Sequence, residues 1–489
     1  MAMKKRLVLI VVTLFAATSL RVFAQTAPAG TSAPLPDHLE EHVRAFVATV
    51  NEGDAAAVRR FRETDISAAF AHNVSYEGFL DYFQSQRRVT GGLDFIGARL
   101  DPSSPGIVQL AVRDHVYGGV HGVKLPFDSD PGHRLSMVDP AGTPAWALSG
   151  APALPLGEVA GDIRGMVDRG CKAEVFSGAV LVARGETVLL ATACGEASRR
   201  YHVNNTVETR FNLASMNKMF TAVAVLQLVQ SGRVALSDPL SKYADETWLP
   251  RQISDRITVN QLLTHTSGLG DFEEALRKAP RDRYRELGDY KPLVRNETPS
   301  FPPGTAYQYS DTGMLLLGVV IEKASAENYF SYIRHHIYEP AGMVATDSYS
   351  LDQPVENLAM GYAAAPGEPY GWRENTLMNL MRGCPAGGGY STVGDLYRFA
   401  SALQTGKLVS AASLKTLWTD HPPNDYGAGF EVEDTAAGTL VGHSGFDHGV
   451  STRLRIYLDK GYVVAVLSNI DRGAPTLAEA ISDEIARVR

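Results

Sequence analysis

Cysteine is scarce in this chain. Of 489 residues only Cys171, Cys194 and Cys384 carry a thiol, so at most one disulfide can form within it, and whether Cys194 pairs with Cys171 or neither pairs stays open. Their spacing fits no metal-binding pattern. A basic excess is missing too: 46 Lys and Arg stand against 54 Asp and Glu, a formal net charge of -8, which argues against a nucleic-acid partner. Past the first two dozen residues no stretch is long and apolar enough to span a bilayer, and no cysteine near residue 24 could carry a lipid. There is no internal repeat.

The amino end is distinctive. Lys4, Lys5 and Arg6 precede an apolar run from Leu7 to Leu20, and Val22-Phe23-Ala24 ends it with small residues. That order reads as a secretory signal peptide over residues 1–24, so a periplasmic or secreted protein with no integral membrane segment after processing is expected. An apolar content of 45% in a chain of this length can bury one large core or two domains.

Two Pro- and Ala-rich stretches divide the remainder. Residues 25–36 read as a lead-in, and the run from Asp139 (DPAGTPAWALSGAPALP) reads as a linker, taken as residues 141–156. Between them, 37–140 opens with helical periodicity (Leu39, Val43, Phe46, Val47, Val50) and closes with strand-like segments at Ile107–Val112 and Val116–Leu125. Helices before strands predict a small α+β accessory domain, with a weak likeness in element order to cone-shaped ketosteroid-isomerase-like domains. Residues 157–489 begin with a hairpin about Gly185 and end with strand candidates at Val441, Thr452–Leu458 and Tyr462–Leu467, then an amphipathic helix from Pro475 to Val488. Helical segments fill the middle. The terminal strands therefore predict one antiparallel sheet, with a helical insertion beside it.

One lysine is out of place. The segment from Met219 to Val229 is apolar almost all round and predicts a buried helix ended by Gly232, yet Lys218 sits at its first turn. A buried ammonium is costly, so chains avoid it or use it. Ser215 lies three residues earlier, on the same helical face and at the amino end, where the helix dipole favours negative charge. A serine hydroxyl needs a base to become a nucleophile, and a desolvated lysine suits that task. The pair alone decides little, since Ser and Lys at this spacing arise by chance about once in a chain this long.

Further motifs follow in order. Phe301-Pro302-Pro303-Gly304 leads to Tyr309-Ser310-Asp311, and His443-Ser444-Gly445 follows a strand-like segment. Residues 178–489 thereby resemble the serine β-lactamase and penicillin-binding superfamily, in the branch of class C β-lactamases, D-alanyl-D-alanine carboxypeptidases and related esterases. Its Ser-x-x-Lys, Tyr-x-Asn and Lys/His-x-Gly elements fall at 215, 309 and 443. Two supporting stretches match as well: Leu262-Leu263-Thr264-His265-Thr266-Ser267-Gly268-Leu269, and Gly387-Gly388-Gly389-Tyr390-Ser391-Thr392 with Asp395-Leu396.

The resemblance implies an α+β fold, a β-lactamase-like domain with an antiparallel sheet flanked by helices and an all-helical insertion, and a set of roles. Ser215 would attack a carbonyl, Lys218 and Tyr309 would share proton transfer, and the backbone N–H groups of Ser215 and Phe446 would form the oxyanion hole. Asp311, His443, Ser444 and Gly445 would bind substrate, with His443 as the basic residue for a substrate carboxylate. Which of Lys218 and Tyr309 is the immediate base stays open. No metal or organic cofactor is implied. Two departures from the pattern bear on activity: Asp311 stands where Asn is usual and cannot donate as an amide does, and His443 replaces the lysine common in lactamases. Both favour a peptidase or esterase over an efficient β-lactamase.

The expectation is an exported serine hydrolase acting through an acyl-enzyme on a D-amino-acid peptide or small ester, with cell-wall association left open. The alternatives are a penicillin-binding sensor or scaffold with little turnover, a true β-lactamase, and a zinc peptidase built on His38-Leu39-Glu40-Glu41-His42. That last pattern lacks a third ligand and opens a helix beside the lead-in, where charged residues are simply solvated. His265 reads as a packing and loop-fixing residue, the Gly387-Gly388-Gly389 run as a turn, and the adjacent His335 and His336 diverge on a helix.

Overall fold

The computed structural model describes residues 35–488, apart from 103, 105, 130, 131, 150, 366–370, 422 and 423. The expected signal peptide lies outside the described residues. Among the described residues no helix is long and apolar enough to cross a membrane. The chain divides into two compact units: one ends at Val159 and takes in the terminal residues from Glu479, and the other is Ala160–Ala478.

The first unit packs helices on one antiparallel sheet. Helices Asp37–Glu52, Ala55–Thr64, Ala68–Asn73 and Tyr76–Thr90 precede strands Leu93–Leu100, Ile107–Asp114, Val120–Pro126 and Asp139–Ala141, paired in that order. Phe46, Phe61 and Phe83 meet in its core, with the Phe61 and Phe83 ring centres 5.2 Å apart. Capping sets where helices start: Asp54 accepts the N–H groups of Ala56 and Ala57. Leu93–Leu100 escaped the sequence reading because most of its residues are only half-buried and Gly97 sits at a register shift. The stretch read as a linker is in part docked here. Trp146 stacks under Arg99, 4.5 Å from its ring centre, and donates to Gln109 at 3.3 Å. Pro- and Ala-rich composition signals irregular backbone, and irregular backbone can still pack. His42 of the His-x-x-Glu-His pattern spends both ring nitrogens, on Asp65 at 2.7 Å and the Gly132 carbonyl at 3.3 Å.

The second unit is built on a six-stranded antiparallel sheet. Its order is Glu431–Thr435, Gly438–Asp447, Val450–Tyr457, Tyr462–Ser468, Gly178–Arg184 and Thr187–Cys194. The first hairpin of the unit thus pairs with its last strand, Val464 facing Val182. Helix Lys218–Gln230 is buried along nearly its whole length, as its unbroken apolar sequence demands. Gly232, at φ +70°, ends it. Cys171 is bonded to Cys194, which ties helix Leu156–Lys172 to the end of a sheet strand, while Cys384 is free and buried.

Candidate active site

The turn that carries Ser215 is strained and braced. Strand Phe211–Asn212 pairs with Tyr390–Ser391, and the chain then turns through a 3-10 segment, Ala214–Asn217, before helix Lys218–Gln230 begins. Ala214 adopts φ +46°, a left-handed conformation that a β-carbon disfavours. Three hydrogen bonds hold it there: Ala214 N–H to Asn212 Oδ1 at 2.8 Å, Leu213 N–H to the Gly389 carbonyl at 2.9 Å, and Gly388 N–H to the Ala214 carbonyl at 3.0 Å. The glycine run is therefore a turn that backs the Ser215 segment. In a 3-10 turn residues three apart eclipse, so Ser215 and Lys218 share a face, with Ser215 half-exposed above a fully buried Lys218.

Lys218 is buried with two hydrogen bonds and an ion pair. It donates to Ser215 Oγ at 2.9 Å and to the Ala386 carbonyl, and its Nζ lies 2.6 Å from Asp311 Oδ1. A buried ammonium is tolerable only when paired and hydrogen-bonded in this way. Cys384 to Gly389 runs along the start of the helix and supplies acceptors to it. Asn217 donates to the Cys384 carbonyl at 2.6 Å and Thr221 to the Pro385 carbonyl at 2.8 Å.

The second motif enters from helix Asp311–Ser325, whose cap is Ser310, accepting the Gly313 N–H at 2.8 Å. This places Tyr309 over the lysine, Lys218 Nζ being 4.8 Å from its ring centre. Burial, and then the Asp311 carboxylate, push the Tyr309 phenol well above its usual pKa, with the Ser215 hydroxyl working the other way. His265, itself at φ +55°, lies against the Tyr309 ring at 4.4 Å and accepts the Ser310 N–H at Nδ1, 3.1 Å away. Burial first, then Lys218 and His443, hold the His265 imidazole well below its usual pKa. It is a neutral wedge that fixes the motif.

The third motif departs from expectation. His443 is 2% exposed; Nδ1 contacts the Ser444 carbonyl at 2.6 Å and Nε2 contacts the Tyr426 hydroxyl at 3.1 Å. Burial lowers its pKa, with Glu431 opposing and Lys218 reinforcing, so near neutrality it offers no positive charge to a substrate carboxylate. Ser444, the next residue along strand Gly438–Asp447, donates to Glu431, whose carboxylate also lies 3.7 Å from His443 Nδ1. Gly445 is needed as glycine: a β-carbon there would lie 2.1 Å from the Leu213 carbonyl oxygen and 2.3 Å from Thr452 Oγ1. The structure thus groups Ser215, Tyr309 and Asp311 around Lys218 and sets Gly445 against Leu213 in the turn that carries Ser215. It leaves His443 and Ser444 to neighbours in the protein, and Phe446 has its side chain half-exposed.

Sequence reasoning missed several members. The Ala386 carbonyl carries no side-chain signature, and Glu431 and Tyr426 are distant partners of His443 that no motif marks. Asp271 and Glu273 directly follow the leucine-rich stretch, and their carboxylate oxygens and those of Asp311 lie within 4.8 Å of one another. Loss of hydration, then the Asp311 charge, raises Asp271 to about 6 and Glu273 to about 8. Such a trio has the donor type for a hard cation, but Asp311 already has the Lys218 ammonium as its counter-ion.

Comparison with known proteins fits this geometry. Residues 161–485 match the Beta-lactamase family. The chain belongs to the beta-lactamase family. It is similar to a penicillin-binding protein of Bacillus subtilis strain 168, 30% identical over 315 residues that make up 60% of this chain and 68% of that one. Among solved structures it resembles the penicillin binding protein from Bacillus halodurans (28% identity, TM-score 0.60, 64% of this chain and 98% of that chain). It also resembles a D-stereospecific amidohydrolase from Streptomyces sp. (25% identity, TM-score 0.54, 63% and 92%). The superfamily read from the ordered motifs is thus the one found, and this beta-lactamase-family member stands among serine acyl transferases and hydrolases.

Proposed function

We propose that the protein is an exported serine hydrolase that acts through an acyl-enzyme on an amide or ester, a D-amino-acid peptide or a small ester, with weak or no β-lactamase activity. The observation that carries this reading is Ser215 Oγ at 2.9 Å from a fully buried Lys218 Nζ, which itself lies 4.8 Å from the centre of the Tyr309 ring. Ser215 attacks the carbonyl, and its proton passes to the Lys218 and Tyr309 pair and on to the leaving group. The N–H groups of Ser215 and Phe446 would hold the oxyanion. Water then releases the acyl group. The Streptomyces relative described as a D-stereospecific amidohydrolase supports the substrate class. The Cys171–Cys194 disulfide suits an oxidising compartment and so supports export. Asp311 argues against efficient lactam hydrolysis, because its carboxylate faces Lys218 and cannot donate.

The test is an activity screen of the full chain and Ser215→Ala against p-nitrophenyl esters, nitrocefin and a D-Ala-D-Ala peptide side by side. Ester or peptide turnover that vanishes in Ser215→Ala is expected, and nitrocefin as the preferred substrate would overturn the reading. The committed donors of Lys218 also favour a second reading, a penicillin-binding sensor with little turnover. A fluorescent penicillin that stays bound while no substrate turns over would select it.

A further inference from the structure

The resting site has no evident base. The Lys218 ammonium donates to Ser215 and to the Ala386 carbonyl and is ion-paired with Asp311, and as an ammonium its nitrogen has no lone pair for the Ser215 proton. The other candidate, Tyr309, is held in its phenol form by burial and by Asp311. Of the groups in contact with Lys218, the one with room for a proton is the Asp311 carboxylate. Its Oδ1 is 2.6 Å from Lys218 Nζ and makes no hydrogen bond among the described residues.

We propose that Asp311 is the terminal proton acceptor of a relay in which Lys218 takes the proton of Ser215 as it hands one of its own to Asp311. The proposal rests on the acyl-enzyme reading given above. As Ser215 Oγ bonds to the substrate carbonyl carbon, the Oγ–H bond breaks and that proton goes to Lys218 Nζ. An Nζ–H bond breaks in the same event and its proton goes to Asp311 Oδ1. On collapse of the tetrahedral adduct the leaving oxygen or nitrogen takes a proton from Lys218, which recovers one from Asp311, and the site returns to its starting charge. No oxidant or co-reactant is involved.

Charged groups crowd Asp311. It stands in the first turn of helix Asp311–Ser325 with the Lys218 ammonium at 2.6 Å. The carboxylate oxygens of Asp271 and Glu273 lie within 4.8 Å of its own. Tyr309, Tyr426 and Cys384 also feel the Asp311 charge, and His265 and His443, both neutral, feel that of Lys218. An asparagine at 311 could keep an oxygen on Lys218 but could not take the proton.

A passive counter-ion would also lie at this distance, and the two roles differ in sign. If Asp311 receives the proton, the reactive form is carboxylate with ammonium, and activity is lost as pH falls through protonation of Asp311. Asp311→Asn then leaves only Lys218 as base, so the acid limb of the pH profile moves up. If Asp311 merely neutralises Lys218, reaction waits for the neutral amine. Removing the carboxylate then makes that amine available at lower pH, and the limb moves down.

The experiment is the rate of covalent labelling by a fluorophosphonate from about pH 4 to about pH 10, in the full chain, Asp311→Asn and Ser215→Ala. We expect Asp311→Asn to shift the acid limb upward by about 2 pH units and to slow labelling on the order of 100-fold at neutrality. An unchanged or lowered limb overturns the relay. Labelling that persists in Ser215→Ala overturns the acyl-enzyme reading instead, whatever Asp311→Asn does. The unsubstituted protein gives a measure that does not depend on the folding of Asp311→Asn: its labelling rate against the deuterium fraction of the solvent. A bowed dependence, two protons in flight, is expected, and a straight line overturns the relay.

Discussion

His265 Nδ1 accepts the backbone N–H of Ser310 at 3.1 Å across 45 residues of sequence. That single bond links the leucine-rich stretch to the residue between Tyr309 and Asp311. His265→Ala should therefore lower kcat by about 10- to 100-fold with KM nearly unchanged, since it loosens groups that act in the transition state. His265→Asn, whose amide oxygen can take over as acceptor, should recover most of the loss. Equal damage in both variants, read in steady-state kinetics on a small ester, would show that packing alone matters.

The same residue makes a statement about acid stability. His265 and His443 both have folded-state pKa values below the unfolded value near 6.5. These two groups therefore take up protons on unfolding below about pH 6.5 and subtract stability there, while the raised carboxyls of Asp271 and Glu273 work the other way. In urea unfolding at about pH 5 and about pH 7, His265→Asn should gain stability relative to the unsubstituted protein at the acid pH.

His443 should not govern carboxylate recognition near neutrality. Its imidazole is buried, neutral and committed to Tyr426 and Ser444. KM for a carboxylate-bearing substrate and for a neutral ester should run parallel between about pH 6 and about pH 8. A carboxylate preference that fades with rising pH and disappears in His443→Gln would restore the role read from the motif.

Gly445→Ala tests the seating of the third motif on the nucleophile turn. The added carbon would fall 2.1 Å from the Leu213 carbonyl oxygen, and backbone cannot yield there as a flexible side chain would. A loss of about 1–3 kcal/mol in stability and of about 100-fold in kcat/KM is expected, measured by denaturant unfolding and ester hydrolysis.

Reduction of Cys171–Cys194 closes the set. The bridge spans 23 residues, and cross-linking a loop of that size limits the unfolded chain by about 3 kcal/mol. Thermal unfolding with and without reductant should show a clear drop in Tm, while a Cys171→Ser, Cys194→Ser variant should be indifferent to reductant.

The legible parts were those that repeat a pattern along the chain. Met219–Val229 announced a buried helix because it is apolar almost all round, and Tyr309 was found because it comes after Ser-x-x-Lys and before His-x-Gly. The parts not legible depend on what folding brings across space. Asp311 was read as a substrate contact, since its distance to Lys218 is a tertiary fact. His443 was read as a charge, since sequence carries the residue type without its burial. Trp146 was lost in a run that composition marks as loose. The Ala386 carbonyl could not have been named at all, because any residue offers one.

The pairing of Gly178–Arg184 with Tyr462–Ser468 also sets an order of events. The first hairpin of the catalytic unit has a free edge until nearly the last strand of the chain is available. Such non-local closure is slow, and it leaves a long interval in which the edge is exposed to aggregation. A chain that stops short of Tyr462 holds Ser215, Lys218, Tyr309 and His443 yet lacks the strand that joins the two halves of their sheet. Catalytic competence is therefore a property of the finished polypeptide, and it arrives late.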